Sequence, residues 1–156
     1  MAPSSPTPSR TALIALLLAA LAGVAALTLV PQGSGWSWGS PMSELRWYAT
    51  GLGSEATLVQ LVGNLSLLVV PAALVVLLWP PAGRPARLAG LALAAGSAIE
   101  LLQWAMPLGR VVSPLDAVLN AIGATAAGLI TAFVHRSAAH VTARSGGNTV
   151  RSGLTG

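Results

Sequence analysis

Residues 100–123 read Glu100-Leu-Leu-Gln103-Trp-Ala-Met-Pro-Leu-Gly-Arg110-Val-Val-Ser-Pro-Leu-Asp116-Ala-Val-Leu-Asn120-Ala-Ile-Gly123. The stretch holds two of the chain's four acidic residues, one of its eight arginines and two carboxamides. It lies between, and partly inside, two apolar runs long enough to cross a bilayer. A carboxylate or guanidinium at mid-membrane costs roughly 2.5–3.5 kcal/mol on insertion scales. Only 8% of the residues are charged, so several such groups in one short stretch point to a use for them.

Working outward, the composition sets the class. Of 156 residues, 54% are hydrophobic, whereas a soluble domain carries about 25% charged residues against the 8% here. This fits a small polytopic membrane protein with no room for a separate soluble domain. The formal charge of +4 comes from arginine alone. The arginines are scattered singly over tails and loops without interleaved aromatics, which argues against a nucleic-acid partner. The absence of cysteine excludes disulfides, thiol catalysis and cysteine-ligated metal. The use of Ala, Gly, Pro and Arg in place of Ile, Lys and Asn suggests a GC-rich bacterial genome.

Four apolar segments follow in order, and the expected fold is all-α, a four-helix transmembrane bundle with short loops. A Pro- and Ser-rich tail over 1–11 reads as disordered. The first helix is expected over 12–30, about 28 Å long, which matches the hydrocarbon thickness and exceeds a signal-peptide core. The second is expected over 58–79, with Asn64 two turns in and Pro71 kinking its middle. The third is expected over 88–106, with Gly90, Ala94 and Ala98 as a close-packing stripe, and the fourth over 115–135. The Ser/Gly/Arg-rich tail 136–156 reads as disordered and cytoplasmic. Between the first two helices, Trp36, Trp38, Trp47 and Tyr48 suggest an interfacial belt. A short surface helix near Ser43–Gly51 is expected there, capped by Ser40 or Ser43, and the segment reads alternatively as a lid.

Arginine placement orients the bundle. Arg10, Arg84, Arg87, Arg136, Arg144 and Arg151 fall on one side, and Arg46 and Arg110 on the other. The excess places both termini in the cytoplasm and the aromatic and Arg110 loops outside.

Depth then brings the polar groups together. Asn64 lies roughly 9 Å below the outer surface, Glu100 at a similar depth, and Asn120 one turn below Asp116. Gln103, Asp116 and Arg110 sit just above. Glu100 and Gln103 are spaced i, i+3, and Asp116, Asn120 and Gly123 are spaced i, i+4, i+7, so each set lies on one helix face. Interhelical bonding alone would account for separate carboxamides, at about 1 kcal/mol or less per bond. Two carboxylates, one arginine and three carboxamides in one layer exceed what holding four helices requires. The expected ligand-binding set is therefore Asn64, Glu100, Gln103, Arg110, Asp116 and Asn120.

The pattern Glu100-x-x-Gln103, Arg110, Asp116-x-x-x-Asn120-x-x-Gly123 resembles the signature of the VanZ-like family, over roughly Gly63–Phe133. These are small bacterial membrane proteins named for a member linked to teicoplanin resistance. An earlier family element, Asn followed by Phe, Pro and Gly, is partly present: Asn64 is kept, Leu68 stands at the Phe position and Pro71 is shifted by one. Members often carry an acid between the Arg and the Asp, where this chain has Ser113.

Several functions are open at this stage. The first is an outward-facing site for an envelope amphiphile, a lipid-linked phosphate or a lipid-tailed glycopeptide. Arg110 would pair with its anionic group, the carboxylates would accept hydroxyls, and the carboxamides would orient the headgroup. This reading implies membrane lipid as a partner, the bacterial cytoplasmic membrane as location, and a contribution to glycopeptide resistance. The second is an enzyme on lipid-linked phosphates or sugars with Glu100 and Asp116 as acid and base. There is no Ser–His pair and no metal-ligand set, and His135 and His140 fall at the cytoplasmic end, so no metal or cofactor is expected. A transporter subunit and a purely structural or partner-binding subunit complete the set. Charged groups confined to the outer half argue against a through-path.

Overall fold

A computed structural model describes residues 8–152 of the protein, with side chains described as far as 139. Four helical segments are long and apolar enough to cross a membrane: Arg10–Leu29, Glu55–Leu78, Pro85–Ala105 and Pro114–Ala139. The fold is an all-α bundle, with two short strands added in its connections. Residues 1–7 and 153–156 of the expected tails lie outside the described set, as does the His140 side chain.

Prolines and short caps set the helix ends. Helix α1 runs Arg10–Leu29, and the Ser9 hydroxyl caps its start by accepting the Ala12 amide at 3.2 Å. It stops at Val30, which is extended because Pro31 follows. Helix α2 covers Pro41–Gly51, with Ser40 at the N-cap and proline in the first turn. The expected second span is two helices, α3 over Glu55–Leu67 and α4 over Val69–Leu78. The interruption falls at Leu68 rather than at Pro71. Pro71 has no N–H to give the Leu67 carbonyl, so the ladder fails one turn before the ring. A 3₁₀ turn over Pro80–Gly83 leads into α5, Pro85–Ala105, which ends where Met106 turns extended ahead of Pro107.

Helix α6 starts at Pro114 and continues to Ser152, well past the boundary expected at His135. Hydropathy drops there, but no proline follows Pro114, and the Ala and Arg residues that come next favour helix. The end of the apolar run is therefore not the end of the helix.

The connections at one end of the bundle pair with each other. Strand β1, Gly35–Trp38, lies parallel to β2, Leu108–Val112, with Gly35 opposite Leu108 and Trp38 opposite Val112. The Gln32 and Gly39 amides extend the ladder to the Leu108 and Val112 carbonyls, each at 2.8 Å. Gly109 adopts φ +65°, and a Cβ there would fall 2.6 Å from the Gly33 backbone, so glycine is required for the two chains to meet. Trp36, Trp38 and Trp104 are exposed at this sheet end, and the Trp36 indole donates to the Trp104 carbonyl at 3.0 Å.

Small residues set the helix crossings. Gly123 of α6 meets the Leu65 backbone of α3, and Gly96 of α5 meets the Ala117 carbonyl of α6. The buried face of α5 is Leu88, Ala92, Gly96, Glu100 and Gln103. Gly90, Ala94 and Ala98, expected to be the packing stripe, are exposed. A polar group inside a bilayer turns toward protein, so Glu100 fixes which face is inward, and small residues elsewhere on α5 are left to lipid. Ala92 packs with Leu68, Ala121 and Ala124 into a dry cluster, against which Val24, Ala72 and Ile99 lie.

Candidate functional site

Above that dry cluster, at the sheet end, is a cavity of about 880 Å³. All six residues singled out from the sequence line it: Asn64 from α3, Glu100 and Gln103 from α5, Arg110 from β2, and Asp116 and Asn120 from α6. Leu27, Thr28 and Gln32 complete one wall, and Val59, Gln60, Gly63 and Leu67 another.

Ser113, ahead of the Pro114 that opens α6, organises the polar side. Its amide donates to the Glu100 carboxylate at 2.7 Å. Its hydroxyl accepts the Leu115 and Asp116 amides at 3.1 and 3.2 Å, an N-cap that satisfies two donors of the first turn. The same hydroxyl donates to the Glu44 carboxylate of α2. Three carboxylates, those of Glu44, Glu100 and Asp116, thus face the start of α6, where the helix dipole favours negative charge. They are spread around Ser113 and do not converge as a metal-binding cluster among the described residues.

Asp116 takes a second contact from α2, the Tyr48 hydroxyl donating at 3.3 Å. Tyr48 is buried, and burial first and the Asp116 charge second push its phenol from 10 up to about 12. Tyr48 is the single tyrosine of the chain, so the tyrosinate absorbance near 295 nm is expected to rise as one step near pH 12. Asp116→Asn should move that step toward lower pH; a step at pH 10 in the native protein would show that α2 does not dock. Folding is linked to the same ionisation. The unfolded chain ionises at 10 and the folded chain at about 12, so the contribution of Tyr48 is complete below pH 10 and lost between 10 and 12.

The remaining groups divide into anchored and unanchored. The Gln103 amide donates to the Thr28 carbonyl at 3.0 Å. Nη1 of Arg110 donates to the Leu27 and Val30 carbonyls at 3.2 and 3.5 Å, capping the carbonyl end of α1. Its Nη2 and Nε make no hydrogen bond to the described residues. Asn120 is 1% exposed, and its Oδ1 has no partner; the buried Asn64 amide lies against the Asp116 carboxylate and the Tyr48 hydroxyl. An orphan buried carboxamide atom costs about 1–3 kcal/mol, and both carboxamide residues line the same cavity.

Glu44, Tyr48, Gln60 and Ser113 were not singled out from the sequence. Glu44 and Tyr48 are four apart on α2 and Gln60 is four before Asn64, so each shares a face with a group that matters. That spacing was the available signal.

Four spanning segments closed around a polar cavity at one end define a small polytopic membrane protein. The chain belongs to the VanZ/LLP1 family, whose family model matches residues 9–135. No curated protein and no solved structure matches it.

Proposed function

We propose that this protein binds the headgroup of an amphiphilic envelope ligand in the cavity at the sheet end. The observation that carries the reading is the convergence of Asn64, Glu100, Gln103, Arg110, Asp116 and Asn120 on one cavity, with an Arg110 fork that has two nitrogens to spare. A ligand offering both a donor and an acceptor, with an anionic group for Arg110, would complete the set. The carboxylates of Glu100 and Asp116 would receive its hydroxyls.

The arginine distribution supports a cavity facing the outside of a bacterial cytoplasmic membrane, with both termini inside. Family membership supports a link with resistance to teicoplanin-type antibiotics, whose lipid tail and sugar-bearing headgroup match this chemistry. The test is binding and resistance in the Arg110→Ala and Glu100→Gln variants. Each should lower ligand affinity at least tenfold, about 1.4 kcal/mol, at unchanged expression and thermal stability. Full retention of binding and resistance by both variants would refute a site here.

A further inference from the structure

The shape of the cavity bears on what enters it and from where. Its roof is the sheet end of the chain, with Gln32, Gly109, Arg110 and Val111 in the lining. Toward the dry cluster it is lined by Leu67 and by Ile99, which packs against Leu68, Ala92, Ala121 and Ala124. Its back is α5 and α6, which present Glu100, Gln103, Asp116 and Asn120. The remaining side lies between α1 and α3.

These two helices contribute facing walls, yet each is held by other elements. Helix α1 packs on α4 and α5, with Val24 against the dry cluster, and its end is tied by Gln103 and Arg110. Helix α3 packs on α6, α4 and α2. No hydrogen bond among the described residues joins α1 to α3. The residues beside the gap are apolar and open, Leu27 at 68% and Val59 at 65% exposure. One turn along α3 from Val59, and also in the lining, is Gly63, where an added Cβ would meet nothing within 4 Å. Both helices belong to membrane-spanning segments, so the gap faces lipid and not water.

We infer that the cavity is filled sideways, through the α1–α3 gap, by a lipid-linked sugar phosphate whose headgroup enters while its tail stays between Leu27 and Val59. The inference deepens the reading given above and rests on it. The class follows from the lining and the size. Arg110 takes the phosphate, the carboxylates and Asn120 take hydroxyls, and Asn64 donates to an oxygen. About 880 Å³ lies within the roughly 300–1,000 Å³ of cavities that enclose drug-sized ligands, which suits a sugar phosphate better than a glycerol headgroup.

The test uses the full chain in phosphatidylcholine vesicles with polyprenyl phosphoglucose as the probe, carrying a photoreactive group on the first isoprene unit. Crosslinks are expected within residues 24–32 and 56–67. Gly63→Leu should lower crosslinking at least tenfold, because its side chain fills the opening from a position with free space. Its melting temperature should match that of the native protein, and Gly90→Ala, outside the cavity lining, should bind normally. Undiminished crosslinking in Gly63→Leu, with loss in Arg110→Ala, would overturn the lateral route and leave the site in place. Equal crosslinking of native protein and Arg110→Ala would overturn both. Displacement of the probe by phosphatidylglycerol as effectively as by unlabelled polyprenyl phosphoglucose would overturn the sugar phosphate class.

Discussion

Gly123→Val is expected to abolish the folded bundle. Gly123 sits where α6 crosses α3, and an added Cβ would overlap the Leu65 carbonyl oxygen and lie 2.7 Å from its carbon. The atoms it meets are backbone, so no rotamer change relieves the overlap, and the helices must separate. Separation would pull the α3 wall that carries Asn64 away from the α6 turn that carries Asn120. Overpacking costs about 1–3 kcal/mol, and more where backbone has to move. A branched residue here belongs at or beyond the upper figure, a large part of the stability of a small domain. The measurement is recovery of monodisperse protein in mild detergent with its thermal transition. Gly90→Ala is the matched control: its added Cβ meets nothing within 4 Å, and the substitution should leave stability unchanged or raise it by about 0.5–1 kcal/mol. A Gly123→Val protein that melts like the native one would show that α3 and α6 do not cross at this residue.

The position of Gly123 also shows why the polar layer was legible in the sequence. In a membrane helix the axial position of a side chain follows from counting residues, and its face from a period of 3.6. Asn64, Glu100 and Asn120 could therefore be set at one depth without knowing how the helices pack, and all three line one cavity. The same logic, applied from Glu100 backwards in steps of four, gives Gly96, Ala92 and Leu88, the buried face of α5. Starting instead from the small residues Gly90, Ala94 and Ala98 selects an exposed face. Small side chains permit close approach but do not require it, whereas a carboxylate must leave the lipid.

Less was legible where contacts join distant segments. Strands of four and five residues, far apart in the chain, pair only because the bundle brings two connections to the same end. Neither Gly35–Trp38 nor Leu108–Val112 is long enough to announce itself by alternation. The contribution of α2 was hidden for a related reason. Its acid and its tyrosine read as surface groups of a short amphipathic helix, and their partners, Ser113 and Asp116, are 69 and 68 residues away.

The Glu44–Ser113 contact supplies the second large expected effect. Ser113→Ala removes the N-cap of α6, at about 1 kcal/mol, and strands the Glu44 carboxylate, at about 1–3 kcal/mol. A total loss of about 2–4 kcal/mol is expected, with α2 released from the bundle and the Tyr48 step falling toward pH 10 as docking is lost. Members of the VanZ-like family often carry an acid between the arginine and the aspartate, where this chain has serine, and the fold brings Glu44 to that serine instead. The two arrangements should be exchangeable but not additive. Ser113→Asp keeps a competent cap yet places a further carboxylate against Glu44 and Glu100, and should destabilise the protein on its own. Glu44→Ala combined with Ser113→Asp removes the repulsion and should recover most of the loss. A double-mutant cycle on thermal or denaturant unfolding is then expected to give a favourable coupling of about 1 kcal/mol or more between Glu44→Ala and Ser113→Asp, within the range for directly contacting pairs. Coupling near zero would mean that the Glu44 carboxylate and the Ser113 hydroxyl do not meet in the folded protein. In that case the cavity would be built from α1, α3, α5, β2 and α6 without support from α2.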